Sequence, residues 1–279
     1  MRSQALAVSQ SWPGFDAIKY FIVFGDSYSS VGFTSRDPPP SDDEPLGIPF
    51  PGITSCEVVD AANQVTYEPN WVGHLNKHRR ASPLRVLNYA VSGDTVARLR
   101  KCQVHREFLT SAGTKPEWAP WTASDTLVTI WIGINDCTWD VRLKVLSAQP
   151  AFEDLVKALA ALYGSGARNF CLFDMPSIFT FPGGNKNQDT QDAFVDWNAS
   201  LKTNLEAFAA AHPDATVMIF SAFDLFERVR TDPAQFGYTQ ADLDQGTLFV
   251  DRFHPASKFH EVIAREFATF VGSLEMLRV

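Results

Sequence analysis

The residues best suited to covalent chemistry are a serine near the start of the sequence and an aspartate and a histidine near its end. Ser27 lies just beyond the apolar run 20–24, which is typical of a buried strand. A serine hydroxyl is a poor nucleophile by itself and needs a histidine base, which a carboxylate orients. Asp251 and His254 can supply both groups from one turn, because residues three apart share a side of a helical turn. These three residues predict catalysis of acyl transfer.

Two further apolar runs end beside residues that could stabilise an oxyanion. The run 85–91 is closely followed by Gly93, and the run 126–132 is closely followed by Asn135. Acyl transfer needs donors aimed at the developing oxyanion, and the loss of one donor costs about 100-fold or more in rate. The backbone N–H groups of Ser27 and Gly93 and the side-chain amide of Asn135 are therefore predicted to form an oxyanion hole.

Four short segments, in this order along the chain, resemble the blocks of the GDSL, or SGNH, hydrolase superfamily. The segments are Gly25-Asp26-Ser27, Gly93, Gly133-Ile134-Asn135-Asp136 and Asp251-x-x-His254. The letters of the name SGNH fall on Ser27, Gly93, Asn135 and His254, and the resemblance covers nearly the whole chain. Within the superfamily, the segments 18–21, 69–72 and 87–90 resemble fungal acetylesterases of carbohydrate esterase family sixteen.

The resemblance implies a flavodoxin-like α/β/α fold and ester hydrolysis through an acyl-serine, with no metal and no cofactor. The predicted enzyme is a carboxylic ester hydrolase that acts on short acyl esters, chiefly acetyl esters of a sugar or an oligosaccharide. Two alternatives remain. One is an acyltransferase of small-molecule metabolism that uses the same serine, and the other is a lipase-like esterase for longer acyl chains.

The apolar runs predict five strands, which alternate with amphipathic helices. The strands are expected at 20–24, 85–91, 126–132, 168–173 and 216–220, and the helices at 70–78, 151–163, 189–211 and 257–272. Strands that alternate with helices indicate a three-layer α/β/α sandwich around a central parallel sheet. Ser257 is the expected cap of the last helix.

Segments without periodicity complete the predicted domain organisation. Residues 1–17 are interpreted as a disordered leader, and residues 18–279 as a single domain. The insertion 33–69 is rich in proline and acidic residues, which predicts a long loop without regular elements beside the serine. A second irregular segment, 175–184, is expected to reach the same edge of the sheet.

Three aromatic residues are candidates for the walls of a substrate pocket. Phe179 and Phe181 belong to the second irregular segment, and Trp139 follows the Asn135 block closely. Large aromatic side chains at the catalytic edge would suit contacts with the acyl or alcohol part of an ester.

The composition fits a globular enzyme. The 279 residues are 45% hydrophobic, and their net charge of −8 argues against a nucleic-acid surface. A monomer is expected, and no apolar run is long enough to span a membrane. No spacing among Cys56, Cys102, Cys137 and Cys171 fits a zinc site, and their disulfide state stays open. The cytoplasm is the preferred compartment because no secretion signal is visible, and secretion, as in the related fungal esterases, is the alternative.

Overall fold

A six-stranded sheet forms the centre of the molecule. The computed structural model describes residues 2–78, 84–143, 148–183 and 188–274. Its strands are β1 (Gln4–Ala7), β2 (Tyr20–Gly25), β3 (Glu57–Val59), β4 (Val65–Tyr67), β5 (Arg85–Asn88), β6 (Thr126–Trp131), β7 (Asn169–Phe173) and β8 (Thr216–Phe220). The central sheet has the order β1-β8-β7-β6-β2-β5, whereas β3 and β4 form a separate hairpin. β2, β5, β6, β7 and β8 run parallel, so their carboxyl ends meet at one edge.

Helices cover both faces of the sheet. They are α1 (Trp71–His78), α2 (Val96–Arg98), α3 (Ile134–Leu143), α4 (Gln149–Gly164), α5 (Gln188–Ala211), α6 (Ala222–Thr231), α7 (Gln240–Asp244) and α8 (Ser257–Gly272). A π-helix (Leu99–Phe108) continues α2 directly. α1 packs against α8, whereas α4 packs against α5 and the π-helix. The predicted α/β/α sandwich is confirmed.

Aromatic side chains fill the core on both faces because successive strand residues point to opposite sides of a sheet. On one face, the ring of Phe21 meets Trp71 of α1 and Phe267 of α8. On the other face, the ring of Phe24 meets Phe108 of the π-helix at 5.6 Å. The fully buried, all-apolar character of β2 reflects this two-sided cover.

The prediction of five strands is wrong by one. β1 pairs antiparallel with β8, with Gln4 opposite Ile219. β1 therefore lies inside the segment 1–17, which the sequence suggested to be a disordered leader. The strand has only four residues, all half-buried, and so it lacks the long apolar run that marked the other strands.

The insertion 33–69 contains the β3–β4 hairpin, so the expectation that it lacks regular elements is also wrong. The strands are three residues each and largely exposed. Their turn is held by the Asp60 carboxylate, which accepts hydrogen bonds from the backbone N–H groups of Ala62 and Gln64. Asn63 adopts a left-handed conformation there, with φ of 58°. Turn chemistry rather than hydrophobic periodicity specifies this hairpin.

Ser257 does not cap the last helix as predicted. The N-cap residue is Ala256, and Ser257 is the first residue of α8. The Ser257 hydroxyl instead donates a hydrogen bond to the backbone carbonyl of Pro69 and pairs with Nε2 of His74 at 2.9 Å. This contact joins the end of the insertion to α8.

All four cysteines are free thiols, and three of them are buried. In the ranges that the structure describes, no helix is both long enough and apolar enough to span a membrane.

Candidate active site

Ser27 lies in a tight turn at the carboxyl end of β2. A side chain on Gly25, at φ of 155°, would collide with the backbone carbonyl of Trp131, so β2 and β6 approach closely only with glycine there. Beyond Gly25, the backbone carbonyl of Asp26 accepts hydrogen bonds from the N–H groups of Ser29 and Ser30. The turn therefore leads the chain away from the sheet directly after Ser27.

The Asp26 carboxylate supports this turn from inside the protein. It accepts a hydrogen bond from the backbone N–H of Tyr28 at 3.1 Å, and its side chain is buried. Burial raises the pKa of Asp26 to about 7, and the nearby carboxylates of Asp136 and Asp94 contribute in the same direction. Asp26 is thus a structural carboxyl group within the serine turn.

The loop before α8 brings a histidine to the serine. Nε2 of His254 lies 2.9 Å from Oγ of Ser27, and Nδ1 of His254 lies 2.7 Å from Oδ2 of Asp251. The second carboxylate oxygen of Asp251 accepts hydrogen bonds from the backbone N–H groups of Phe253 and His254, both at 2.8 Å. The structure therefore brings the three predicted residues into one continuous hydrogen-bonded chain.

The electrostatics of Asp251 fix the direction of these hydrogen bonds. Partial burial opposes its charge, but the N–H groups of His254 and Phe253 outweigh burial and lower the pKa of Asp251. A charged carboxylate only accepts, so Nδ1 of His254 must donate to it. The lone pair of Nε2 is then left to accept the Ser27 hydroxyl proton.

Tyr28 ties the serine turn to the histidine loop. Its hydroxyl donates a hydrogen bond to the backbone carbonyl of Phe253, and its ring meets the His254 imidazole edge-on at 5.9 Å. The insertion contacts the same turn, because the Ser55 hydroxyl donates to the backbone carbonyl of Ser27 at 3.1 Å. The insertion therefore lies beside the serine, as the sequence suggested.

Of the two other predicted oxyanion donors, Gly93 lies in the loop after β5 and Asn135 lies in the first turn of α3. Gly93 has φ of 79°, and a side chain there would meet nothing within 4 Å, so the backbone conformation alone favours glycine. One N–H of the Asn135 amide donates to the backbone carbonyl of Asp94 at 2.9 Å. The Asp136 carboxylate accepts from the N–H of Val96, so the start of α3 contacts the segment after Gly93 through two of its side chains.

A cavity of about 240 Å³ opens beside the serine. It is lined by Ser27, Tyr28, Ile134, Asn135, Thr138, Phe253 and His254. Four of these residues, namely Tyr28, Ile134, Thr138 and Phe253, were not predicted from the sequence. Tyr28 and Phe253 flank motif residues directly, and this adjacency is the signal that could have identified them.

The structure does not bring the predicted aromatic walls to this cavity. Phe179 and Phe181 line a different cavity, of about 320 Å³. Phe181 is buried and packs behind Phe253 at 5.9 Å, so its ring supports the wall rather than forming it. The side chain of Trp139 lies outside the described residues. Among the residues described, no group of three His, Cys, Asp or Glu side chains could hold a metal ion.

A family model described as GDSL-like lipase/acylhydrolase matches residues 21–267, which is most of the chain. The chain belongs to the GDSL-like lipase/acylhydrolase family. Its sequence is also 31% identical over 274 residues to an acetylesterase of Thermothelomyces thermophilus, and the match covers 90% of this chain and 87% of that protein. The chain is thus an ester hydrolase of the GDSL type.

Solved structures show the same fold. Axe2, an acetylxylan esterase from Geobacillus stearothermophilus, superimposes with a TM-score of 0.55 at 19% identity over 93% of this chain and 96% of that chain. LAE5, an alpha/beta hydrolase enzyme from the metagenome of Lake Arreo in Spain, gives a TM-score of 0.58 at 18% identity. That match covers 96% of this chain and all of that chain, 100%. At these identities the likeness concerns the GDSL fold.

Proposed function

We propose that this GDSL hydrolase cleaves short acyl esters, acetyl esters above all, through an acyl-serine formed on Ser27. The observation that carries the proposal is the chain of two hydrogen bonds, 2.9 Å and 2.7 Å long, from Ser27 through His254 to Asp251. Such a chain activates a hydroxyl that would otherwise be a poor nucleophile.

In the acylation step, Oγ of Ser27 attacks the ester carbonyl carbon while Nε2 of His254 takes the hydroxyl proton. The imidazolium that forms is stabilised by the Asp251 carboxylate, which stays charged. His254 then gives the proton to the oxygen of the departing alcohol, and the acyl group remains on Ser27.

Three donors would stabilise the negative oxygen of the tetrahedral intermediate. They are the backbone N–H groups of Ser27 and Gly93 and the side-chain amide of Asn135. The Asn135 amide carries two hydrogens, and Asp94 accepts only one of them, so the second is available to the substrate. The contact to Asp94 fixes the orientation of the amide before substrate arrives, which is what effective oxyanion stabilisation requires.

In the deacylation step, water repeats the attack on the acyl-serine with His254 as its base. The His254 side chain is 28% exposed and that of Asp251 is 53% exposed, so solvent reaches the imidazole directly. This access favours hydrolysis over transfer of the acyl group to another alcohol.

The size of the cavity supports a small acyl group. About 240 Å³ lies below the range of roughly 300–1,000 Å³ that is usual for pockets that enclose drug-sized ligands. The acetylesterase of Thermothelomyces thermophilus supports acetyl as that group. The acetylxylan esterase from Geobacillus stearothermophilus suggests a carbohydrate as the alcohol part, and its catalytic mutants replace a serine, an aspartate or a histidine.

The proposal is tested with p-nitrophenyl esters of increasing acyl length. The wild-type protein should favour acetate over octanoate, and Ser27→Ala and His254→Ala should each lose nearly all turnover. Ser124→Ala and His212→Ala are the matched controls, because Ser124 and His212 lie in the loops before β6 and β8, at the opposite edge of the sheet. Undiminished turnover in either active-site variant would reject the proposal, and a preference for octanoate would reject its acetyl part.

A further inference from the structure

The side chain of Gln103 connects the serine turn to the loop that carries Gly93. Gln103 belongs to the π-helix and is fully buried. Its Oε1 accepts a hydrogen bond from the backbone N–H of Gly25 at 3.0 Å, and its Nε2 donates to the backbone carbonyl of Gly25 at 2.7 Å. The same Nε2 donates to the Asp94 carboxylate at 2.9 Å. Both amide hydrogens and one acceptor position are thus used inside the protein.

The contact with Gly25 follows from the way the sheet ends. β5 stops at Asn88, which pairs with Val23, so Gly25 lies beyond the last residue of its neighbouring strand. A buried backbone N–H without a partner is costly, and the Gln103 amide offers the same donor and acceptor as a peptide group. Gln103 therefore supplies the acceptor for the Gly25 N–H, two residues before Ser27, and shares the Gly25 carbonyl with the backbone N–H of Val91, which donates to it at 3.1 Å.

The contact with Asp94 extends the connection to the oxyanion donors. Asp94 follows Gly93 directly, and its backbone carbonyl accepts the Asn135 amide. Arg98 holds the other carboxylate oxygen of Asp94 at 2.6 Å. One buried side chain thus contacts both Gly25, two residues before Ser27, and Asp94, which follows Gly93 directly and orients Asn135.

We propose that Gln103 is a positioning residue, which fixes the oxyanion donors Gly93 and Asn135 relative to Ser27. This inference rests on the proposed serine-esterase function. Gln103 touches no substrate and acts through Gly25 and Asp94. A displacement of about 1 Å between reacting groups can cost on the order of 100-fold in rate, so loss of this connection should lower kcat more than it changes KM.

Two variants test the role of Gln103. Gln103→Met keeps the length of the side chain and removes its hydrogen bonds, and kcat for p-nitrophenyl acetate should fall on the order of 10-fold to 100-fold with little change in KM. Gln103→Glu keeps the shape, but only its protonated form can donate a hydrogen bond. The ionised form would face the carboxylate of Asp94, which also interacts electrostatically with the buried Asp26, and Arg98, paired with Asp94, is the nearby positive charge. Its kcat relative to wild type should therefore decrease as pH rises.

Asn169 at the start of β7 provides the matched control. Its amide is also fully buried, and it donates to the backbone carbonyls of Ser11, Ala123 and Thr126 at the opposite edge of the sheet. Asn169→Asp and Asn169→Leu should lower the melting temperature about as much as the Gln103 variants do. Their kcat should stay within about twofold of wild type, because no bond to the serine or oxyanion loops is lost.

Three outcomes decide the question. A folded Gln103→Met or Gln103→Glu protein with wild-type kcat at every pH overturns the inference, as does an equal fall of kcat in the Asn169 variants. If Gln103→Met does not fold, the pH profile of Gln103→Glu decides alone, and a flat ratio to wild type overturns the inference. Turnover in Ser27→Ala measured alongside would instead refute the esterase proposal itself, so the two failures are distinguishable.

Discussion

The hydroxyl of Tyr28 donates a hydrogen bond to the backbone carbonyl of Phe253, a residue 225 positions later in the chain. Tyr28 follows Ser27 and Phe253 precedes His254, so this hydrogen bond joins the turn that carries Ser27 to the loop that carries His254. The Tyr28 ring is buried between Trp131 at 5.0 Å and His260 at 6.2 Å. Core packing therefore sets the position of the hydroxyl. The hydrogen bond from that hydroxyl in turn holds the loop that carries His254.

We expect Tyr28→Phe to keep the ring and lose this bond. The free energy of unfolding should fall by about 1 kcal/mol, and the decrease should be larger if the Phe253 carbonyl stays buried and unpaired. The kcat should fall about tenfold as the histidine loop gains freedom relative to Ser27. Urea unfolding and steady-state kinetics measure the two effects.

Tyr238→Phe is the control for that variant. Among the described residues, no hydrogen-bond partner faces the buried Tyr238 hydroxyl, so its removal should leave stability equal or higher and kcat unchanged. If both tyrosine variants behave alike, the Tyr28 bond does not position the histidine loop.

Asp251→Asn should nearly abolish turnover while the fold persists. An amide is uncharged, and its N–H would face Nδ1 of His254, which favours the wrong tautomer of the imidazole. The expected loss of kcat is on the order of 1,000-fold or more. Asp244 lies at the end of α7, and the same assay on Asp244→Asn provides the control. A loss of less than about tenfold would show that Asp251 does not orient His254.

The buried carboxyl group of Asp26 should give the protein a pH-dependent stability. Burial raises the pKa of Asp26 to about 7 from its ordinary value of 3.8, so between these values the folded state holds a proton that the unfolded state has released. Its contribution to stability therefore decreases as pH rises from 3.8 to about 7 and is constant above.

Asp26→Asn removes this titration and keeps an oxygen that can accept from the Tyr28 backbone N–H. The gain in melting temperature relative to wild type should be larger at pH 8 than at pH 5. Thermal unfolding at both values, with the exposed Asp43→Asn as the control, measures the difference. A gain that is equal at the two values, or larger at pH 5, would contradict the assignment.

Ile134 is expected to limit the length of the acyl group. It lines the cavity beside Ser27, so Ile134→Ala should admit longer acyl chains. One methylene in an apolar pocket is worth about 1–3 kcal/mol, so the ratio of kcat/KM for butanoate over acetate should rise about tenfold. Val156→Ala, on the exposed side of α4, should leave the ratio unchanged. An unaltered ratio in Ile134→Ala would place the acyl group elsewhere.

The sequence alone predicts most of the parallel sheet because its strands are buried on both faces. β2 and β6 are continuous apolar runs, and the motif residues follow them at the carboxyl edge. β1 could not be predicted because an edge strand of four half-buried residues shows little hydrophobic periodicity. The β3–β4 hairpin escapes because its turn depends on one carboxylate, Asp60, in a segment where proline and charge dominate.

The candidate site is only partly predictable for a different reason. Motif spacing identifies Ser27 and His254. Which residues line the cavity depends instead on which side chains the folded chain directs toward these two residues. Phe181 lies in the expected segment and yet packs behind Phe253. Gln103 lies within a π-helix, whose wider turn changes which side chains share a face, so its contact with Gly25 needs three-dimensional information.

The proposed function depends above all on transfer of the acyl group to the Ser27 hydroxyl. Its most direct test is to mix the protein with p-nitrophenyl acetate, stop the reaction with acid within milliseconds, and locate the label by peptide mass spectrometry. We expect one acetyl group on the peptide that contains Ser27, and none on that peptide in His254→Ala stopped at the same time. An acetyl group on another residue, or turnover with an unlabelled Ser27 at every time point, would contradict the proposed transfer.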